Sequence, residues 1–194
     1  MAVKTHLPTM IKILTNYVVA FLMLLLSVVM MSSLQQEALP EYQVKAVFLY
    51  NFAQFVEWPD GSFPKANTPL VIGILGNDPF GNYLDETVKG EKVNDHPLDV
   101  KRFSKVEEIT TCHILFIDAS EKDKLKAICA KLRSRNILTV GDMPNFTKQG
   151  GIVKFFTENN KTRIRINLEA AKTEDLVISS KLLRLADVVN YPVN

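Results

Sequence analysis

The sequence predicts an α/β domain with a mainly parallel sheet, helices on both faces and a terminal antiparallel hairpin. Two patterns carry that expectation. Short apolar runs at Leu70–Leu75 (LVIGIL), residues 113–117 (HILFI) and residues 137–140 have the composition of strands buried on both faces. They alternate with helical stretches and turn-rich loops, and close to the end two further runs flank the turn Glu158-Asn159-Asn160.

The chain begins with Lys4 and Lys12, then an apolar run over residues 18–31 broken only by Ser27. That length suits the apolar core of an export signal and falls short of the ~20 residues of a spanning helix. Residues 1–33 are therefore expected to be a cleaved signal peptide or a retained N-terminal anchor, either of which places the rest in the periplasm. Residues 40–190 suffice for a single domain. Of 23 basic residues, two precede Ser33, which leaves 21 against 21 acidic ones. A neutral domain without a concentrated basic face gives no electrostatic case for nucleic acid.

Residues 42–58 read as a helix with an unusually wide apolar face. At 100° per residue, Val44, Val47, Phe48, Leu49, Phe52, Phe55, Val56 and Trp58 cover roughly 200°, against the ~100° stripe of a surface helix. Ala46, Tyr50, Gln54 and Glu57 oppose them. Such a helix must bury two sides, one on its own core and one on a further element or a partner. Phe48, Phe52, Phe55 and Trp58 are the expected partner contacts. Pro59-Asp60-Gly61 ends the helix.

Strand Leu70–Leu75 precedes a turn-rich GNDPFG and a short helix, Asn82–Val88; residues 98–103 alternate as a strand. Residues 121–135 form an amphipathic helix with Leu125, Ile128, Cys129 and Leu132 inward. Residues 152–157 and 162–166 form the hairpin. A closing helix over residues 179–189 turns Leu182, Leu185, Ala186 and Val189 inward, with Ser179 and Ser180 as caps.

No grouping of residues amounts to a catalytic site. There is no metal-ligand spacing, no G-x-S-x-G, and Ser179, Ser180 and Lys181 are too close in sequence to face one another on a helix. No metal, no cofactor and no enzyme activity are expected. His113 lies in a buried strand, where a hydrogen-bonded core histidine is expected. The loops at residues 76–81 and 141–142 leave the carboxyl ends of strands, where open α/β folds bind ligands. Asn77, Asp78 and Asp142 are thus candidate ligand contacts. Arg163 and Arg165 share a strand face with Asn167 and could grip a carboxylate or phosphate, though a water-facing edge strand gives the same pattern. Cys112 and Cys129 are disulfide candidates in an oxidising compartment; a bond within the chain, a bond between chains and two unpaired thiols all stay open.

The phrases QVKAVFLYNFAQFVEWP, VIGILGNDPFG, CHILFI, ILTVGDMPNF, GGIVKF and INLEAAKTEDLVISSKLLRLA, in that order, resemble the YfiR family over nearly the whole span after the export segment. The resemblance implies a regulatory periplasmic domain that binds the periplasmic sensor part of a membrane diguanylate cyclase and holds it inactive. It also implies relief by an outer-membrane lipoprotein or by altered redox state, with cyclic-di-GMP and biofilm as the output. A homodimer is expected. Cys112 fits the family's cysteine before HILFI, whereas Arg165 stands where members of the family carry an acidic residue. The alternative function is a small-molecule sensor module without a cyclase partner.

Overall fold

A computed structural model describes residues 41–193. The expected export segment lies outside the described residues. Among the described residues, no helix is long and apolar enough to cross a membrane.

The domain is an eight-stranded, mainly parallel sheet with helices on both faces. Its strands are β2 (Leu70–Leu75), β3 (Lys92–Val93), β4 (His96–Phe103), β5 (Ile114–Ile117), β6 (Leu138–Gly141), β7 (Val153–Glu158), β8 (Lys161–Asn167) and β10 (Ala186–Val189), in the spatial order β3-β4-β2-β5-β6-β7-β8-β10. The run from β4 to β7 is parallel, β8 turns back antiparallel to β7, and β10 lies parallel to β8 at the edge. β2, β5 and β6 are buried at every position, which is why they carry no polar alternation. Asn159 and Asn160, both left-handed, form the two-residue turn between β7 and β8.

One face carries helices α1 (Glu41–Phe55) and α2 (Asn82–Val88), over a cluster that includes Leu49, Phe52, Ile72, Phe116, Phe155 and Ile164. The other carries α3 (Leu125–Leu132), whose Leu125, Ile128 and Leu132 pack on Leu75, Leu115 and Ile117. A one-and-a-half-turn helix α4 (Leu168–Thr173) follows β8.

Three expectations are corrected. The first helix stops at Phe55, because Val56–Glu57 becomes a short strand, β1, paired antiparallel with β9 (Val177–Ile178). Trp58 therefore leaves the helical arc. The helix expected over residues 121–135 starts as a 3-10 segment, Ala119–Lys124, capped by the Asp118 carboxylate on the Ser120 N–H, and becomes α-helical only at Leu125. The closing helix is a single turn, α5 (Ser180–Leu183), capped by Ser179 Oγ on the Leu182 N–H. Its expected continuation is strand β10. The edge of β8 offers unpaired backbone there, Arg165 binds Asp187 across the pair at 2.6 Å, and Leu185, expected inward, is 65% exposed.

Candidate functional site

Three regions bear on function: the outer flank of α1 and the two ends of the sheet. The buried stripe of α1 is Lys45, Ala46, Leu49, Phe52 and Ala53, continued by Val56. Ala46, expected on the opposing side, is buried because α2 packs alongside α1 and Tyr50 reaches across to donate to Glu91 Oε2 at 2.9 Å. The remaining ~100° of apolar arc runs from Val47, 40% exposed, through Val44 and Phe55 to half-buried Phe48. Phe52 is not available to a partner: it is fully buried and stacks on Phe155 at 5.9 Å. Phe48 leans on the same ring at 5.7 Å. Trp58 has turned away to pack edge-on against Phe63 and His113.

At the carboxyl edge of the sheet the expected ligand residues are already engaged. Asp142 follows β6, and its Oδ2 accepts from Lys45 Nζ at 2.6 Å and from the Tyr42 hydroxyl at 3.0 Å. Lys45, 2% exposed, also meets Glu41 Oε1 one turn earlier at 2.6 Å and sits 4.2 Å over the Tyr42 ring. Burial first, then the charge of Asp142, pushes the Tyr42 hydroxyl well above the ordinary tyrosine range. Asp78 caps its own loop by accepting from the Phe80 and Gly81 N–H groups, and its other oxygen holds Arg102 Nε at 2.9 Å. Arg102 also clamps Asp85, which keeps that carboxyl below the usual range. The Asn77 N–H donates to Ser120 Oγ, which also fills the space above Gly76; a Cβ there would lie 2.5 Å from that oxygen. The carboxylates of Asp78 and Asp142 are thus taken up by the chain's own donors, whereas Asn77 is exposed and engaged through its backbone N–H.

Arg163 and Arg165 do not converge on a common point. Arg163 faces Glu158 at 3.9 Å, whereas Arg165 holds Asp187 and lies over the Phe156 ring. Asn167, expected on a water-facing side, is fully buried because the C-terminal tail folds over it: its side chain bonds both backbone groups of Tyr191 and the Thr147 carbonyl.

Cys112 and Cys129 are both free thiols. Their side chains point to different neighbours. Cys112 Sγ donates to the Ile114 carbonyl beside Gly73, while Cys129 faces Gly150. Burial pushes each thiol up to about 12, so neither is a thiolate at neutral pH.

The amino-terminal edge holds what the sequence did not announce. His113 is the expected core histidine: the Val71 N–H donates to its Nδ1, so the proton sits on Nε2, which donates to the Ser62 carbonyl. Burial lowers its pKa. Phe63 lies between His113 and His96, stacked at 4.5 and 4.1 Å, and His96 Nδ1 reaches the Thr68 carbonyl. Nearby, the Glu174 carboxylate accepts from the N–H groups of Ser134, Arg135 and Asn136, fixing the loop into β6. A lone glutamate in TEDL gives no sequence signal for such a backbone nest.

The same α1-to-β10 span is what a comparison with known families recognises: the YfiR/HmsC-like family matches residues 42–187. The chain belongs to the YfiR/HmsC-like family. YfiR/HmsC-like proteins are periplasmic regulators of diguanylate cyclase signalling and not a known enzyme family. No curated protein matches the sequence. Among the described residues, no cluster of histidine, cysteine or carboxylate side chains is arranged to hold a metal.

Proposed function

We propose that the protein inhibits a membrane-bound diguanylate cyclase by binding its periplasmic sensor domain, and so lowers cyclic-di-GMP. Its family supports this reading, and the single structural observation that carries it is the uncovered flank of α1. Exposed Val47 and half-buried Val44, Phe48 and Phe55, with Asn51 among them, form a largely apolar strip beside the buried stripe of the helix. Contiguous exposed apolar surface of this kind marks interaction sites, and a helix face offers anchors at i, i+3 and i+4 spacing. Trp58, beyond the helix end, belongs to the neighbouring aromatic cluster with Phe63 and His113.

Inhibition then requires differential affinity. Reversing a cyclase sensor from almost wholly active to almost wholly inactive takes about 5.5 kcal/mol of preference for the inactive form. An outer-membrane lipoprotein that sequesters the protein would relieve the block, and a homodimer would present two such flanks at once.

The test is binding of the purified chain to the isolated cyclase sensor domain, with Val47→Asp and Phe55→Ala as probes. Both are expected to weaken binding at least fivefold and to raise cyclic-di-GMP in cells, because a charge or a lost aromatic in an apolar contact costs on the order of 1–3 kcal/mol. Unchanged cyclic-di-GMP on deletion, together with no capture of the sensor domain, would sink the proposal.

A further inference from the structure

The amino-terminal edge of the sheet contains a cavity of about 280 Å³ bounded by the segments that lead into β2, β5 and β6. Ser62, Thr110, Thr111, His113, Arg135 and Asn136 line it, and none of its lining residues is acidic. Arg135 gives one of its five N–H donors to the Ile109 carbonyl. Its backbone is held by the Glu174 carboxylate, so the cation stands on a rigid loop. Threonine hydroxyls flank it on the β5 side. His113 contributes no charge, since its Nδ1 accepts from a backbone N–H.

The packing behind this wall has a feature of its own. Among the described residues, the buried side-chain polar atoms without a hydrogen-bond partner are Trp58 Nε1 and Ser62 Oγ. Both lie beside His113: Trp58 packs edge-on against the imidazole at 6.0 Å, and the Ser62 carbonyl accepts from it. Buried polar groups are nearly always paired, so two orphans around one histidine need an account. Both atoms are enclosed, and Trp58 is not in the cavity wall, so they belong to the packing behind His113 and not to the surface a ligand would touch.

We propose that this cavity binds a small molecule carrying a carboxylate, with the Arg135 guanidinium as its charge partner and the Thr110 and Thr111 hydroxyls as further contacts. The planar fork of arginine matches a carboxylate in two parallel hydrogen bonds. One lining cation balances one negative charge; a phosphate dianion would bring a second charge with no second cation in the wall. The volume sits at the lower end for small-molecule sites, which favours a compact acid over a nucleotide or a peptide. The site is on the opposite edge from the one open α/β sheets ordinarily use, and it adjoins the loop that carries Trp58, next to the C-terminal end of α1.

Trp58 is the chain's single tryptophan and reports on the site through its edge-on contact with His113. The experiment titrates the full chain with sodium acetate, and separately with inorganic phosphate, at fixed pH and at ionic strength matched with sodium chloride. Tryptophan emission and melting temperature are read together. Acetate is expected to give a saturable change in both, phosphate a smaller one, and chloride none. Arg135→Lys, which keeps the charge and loses the fork, is expected to weaken acetate binding at least fivefold. Thr111→Val should weaken it about threefold, and Arg163→Gln, on the hairpin, should leave it unchanged. The idea is overturned by a response that does not saturate, by preference for phosphate, or by equal binding in the Arg135→Lys and unsubstituted proteins. Circular dichroism of each variant separates loss of binding from loss of fold. The outcome is independent of whether a cyclase is the partner.

Discussion

The two ends of the sheet make opposite use of charge. At the carboxyl edge, Lys45, Asp142, Tyr42 and Glu41 satisfy one another at 2.6–3.0 Å, and the crevice there is closed from within. At the amino edge, Arg135 faces a cavity without an acidic neighbour in its wall, and two polar atoms have no partner. One end behaves as structure and the other as a receptor.

The largest effect should come from breaking the satisfied end. Lys45→Ala leaves Asp142 uncompensated in a largely enclosed place, and a loss of about 3–5 kcal/mol is expected in urea unfolding. Replacing both partners, as in Lys45→Met with Asp142→Leu, should recover most of that loss, because a buried ion pair is worth little relative to apolar residues of similar size. If the double variant is as unstable as the single one, the network has a role beyond mutual compensation.

Next in size is Glu174→Ala. Three backbone N–H groups lose a charged acceptor, and about 2 kcal/mol of stability should go with them. The same change loosens the Arg135 loop, so the acetate response at the amino edge should weaken as well.

The pH dependence separates the two ends further. The folded pKa of His113 lies below its ordinary value, mainly through burial, with the charges of His96 and Lys101 adding to it. The unfolded chain thus takes up the proton first as pH falls. The stability tied to neutral His113 is fully present above about 6.5 and is lost as pH drops from there through the folded value. Melting curves between neutral and mildly acid pH should fall more steeply for the parent protein than for a His113→Gln variant. The smallest effect is expected at Arg163, whose exposed pairing with Glu158 at 3.9 Å should make Arg163→Gln neutral to within about 0.5 kcal/mol.

Much of the frame was legible in the residues. LVIGIL, HILFI and the run at residues 137–140 could only be strands buried on both faces, and the Asn159-Asn160 turn announced the hairpin. Residues 179–189 were misread because Leu182, Leu185, Ala186 and Val189 fit a helical stripe as well as a strand; the free edge of β8 and the Arg165–Asp187 pair decided between them. The width of the apolar arc on α1 correctly signalled two environments, but periodicity could not say that Ala46 would face α2. Lys45 gave no signal of its burial, since its partner lies 97 residues away in sequence. The amino-edge cavity was silent for the same reason: its walls come from three separate loops, each unremarkable alone.

The pairing of β1 with β9 has a consequence for how the domain matures. Val56 meets Ile178, and the Ser179 N–H bonds the Phe55 carbonyl, so the end of the first helix is secured by residues near the end of the chain. Contacts of such sequence separation form late, because loop closure must precede them. A chain synthesised N-terminus first presents α1 long before its clasp arrives. Until the last segment has been made, the apolar flank proposed to grip a cyclase stays on a helix without its anchor, and a truncated product would expose the strip without the geometry to use it.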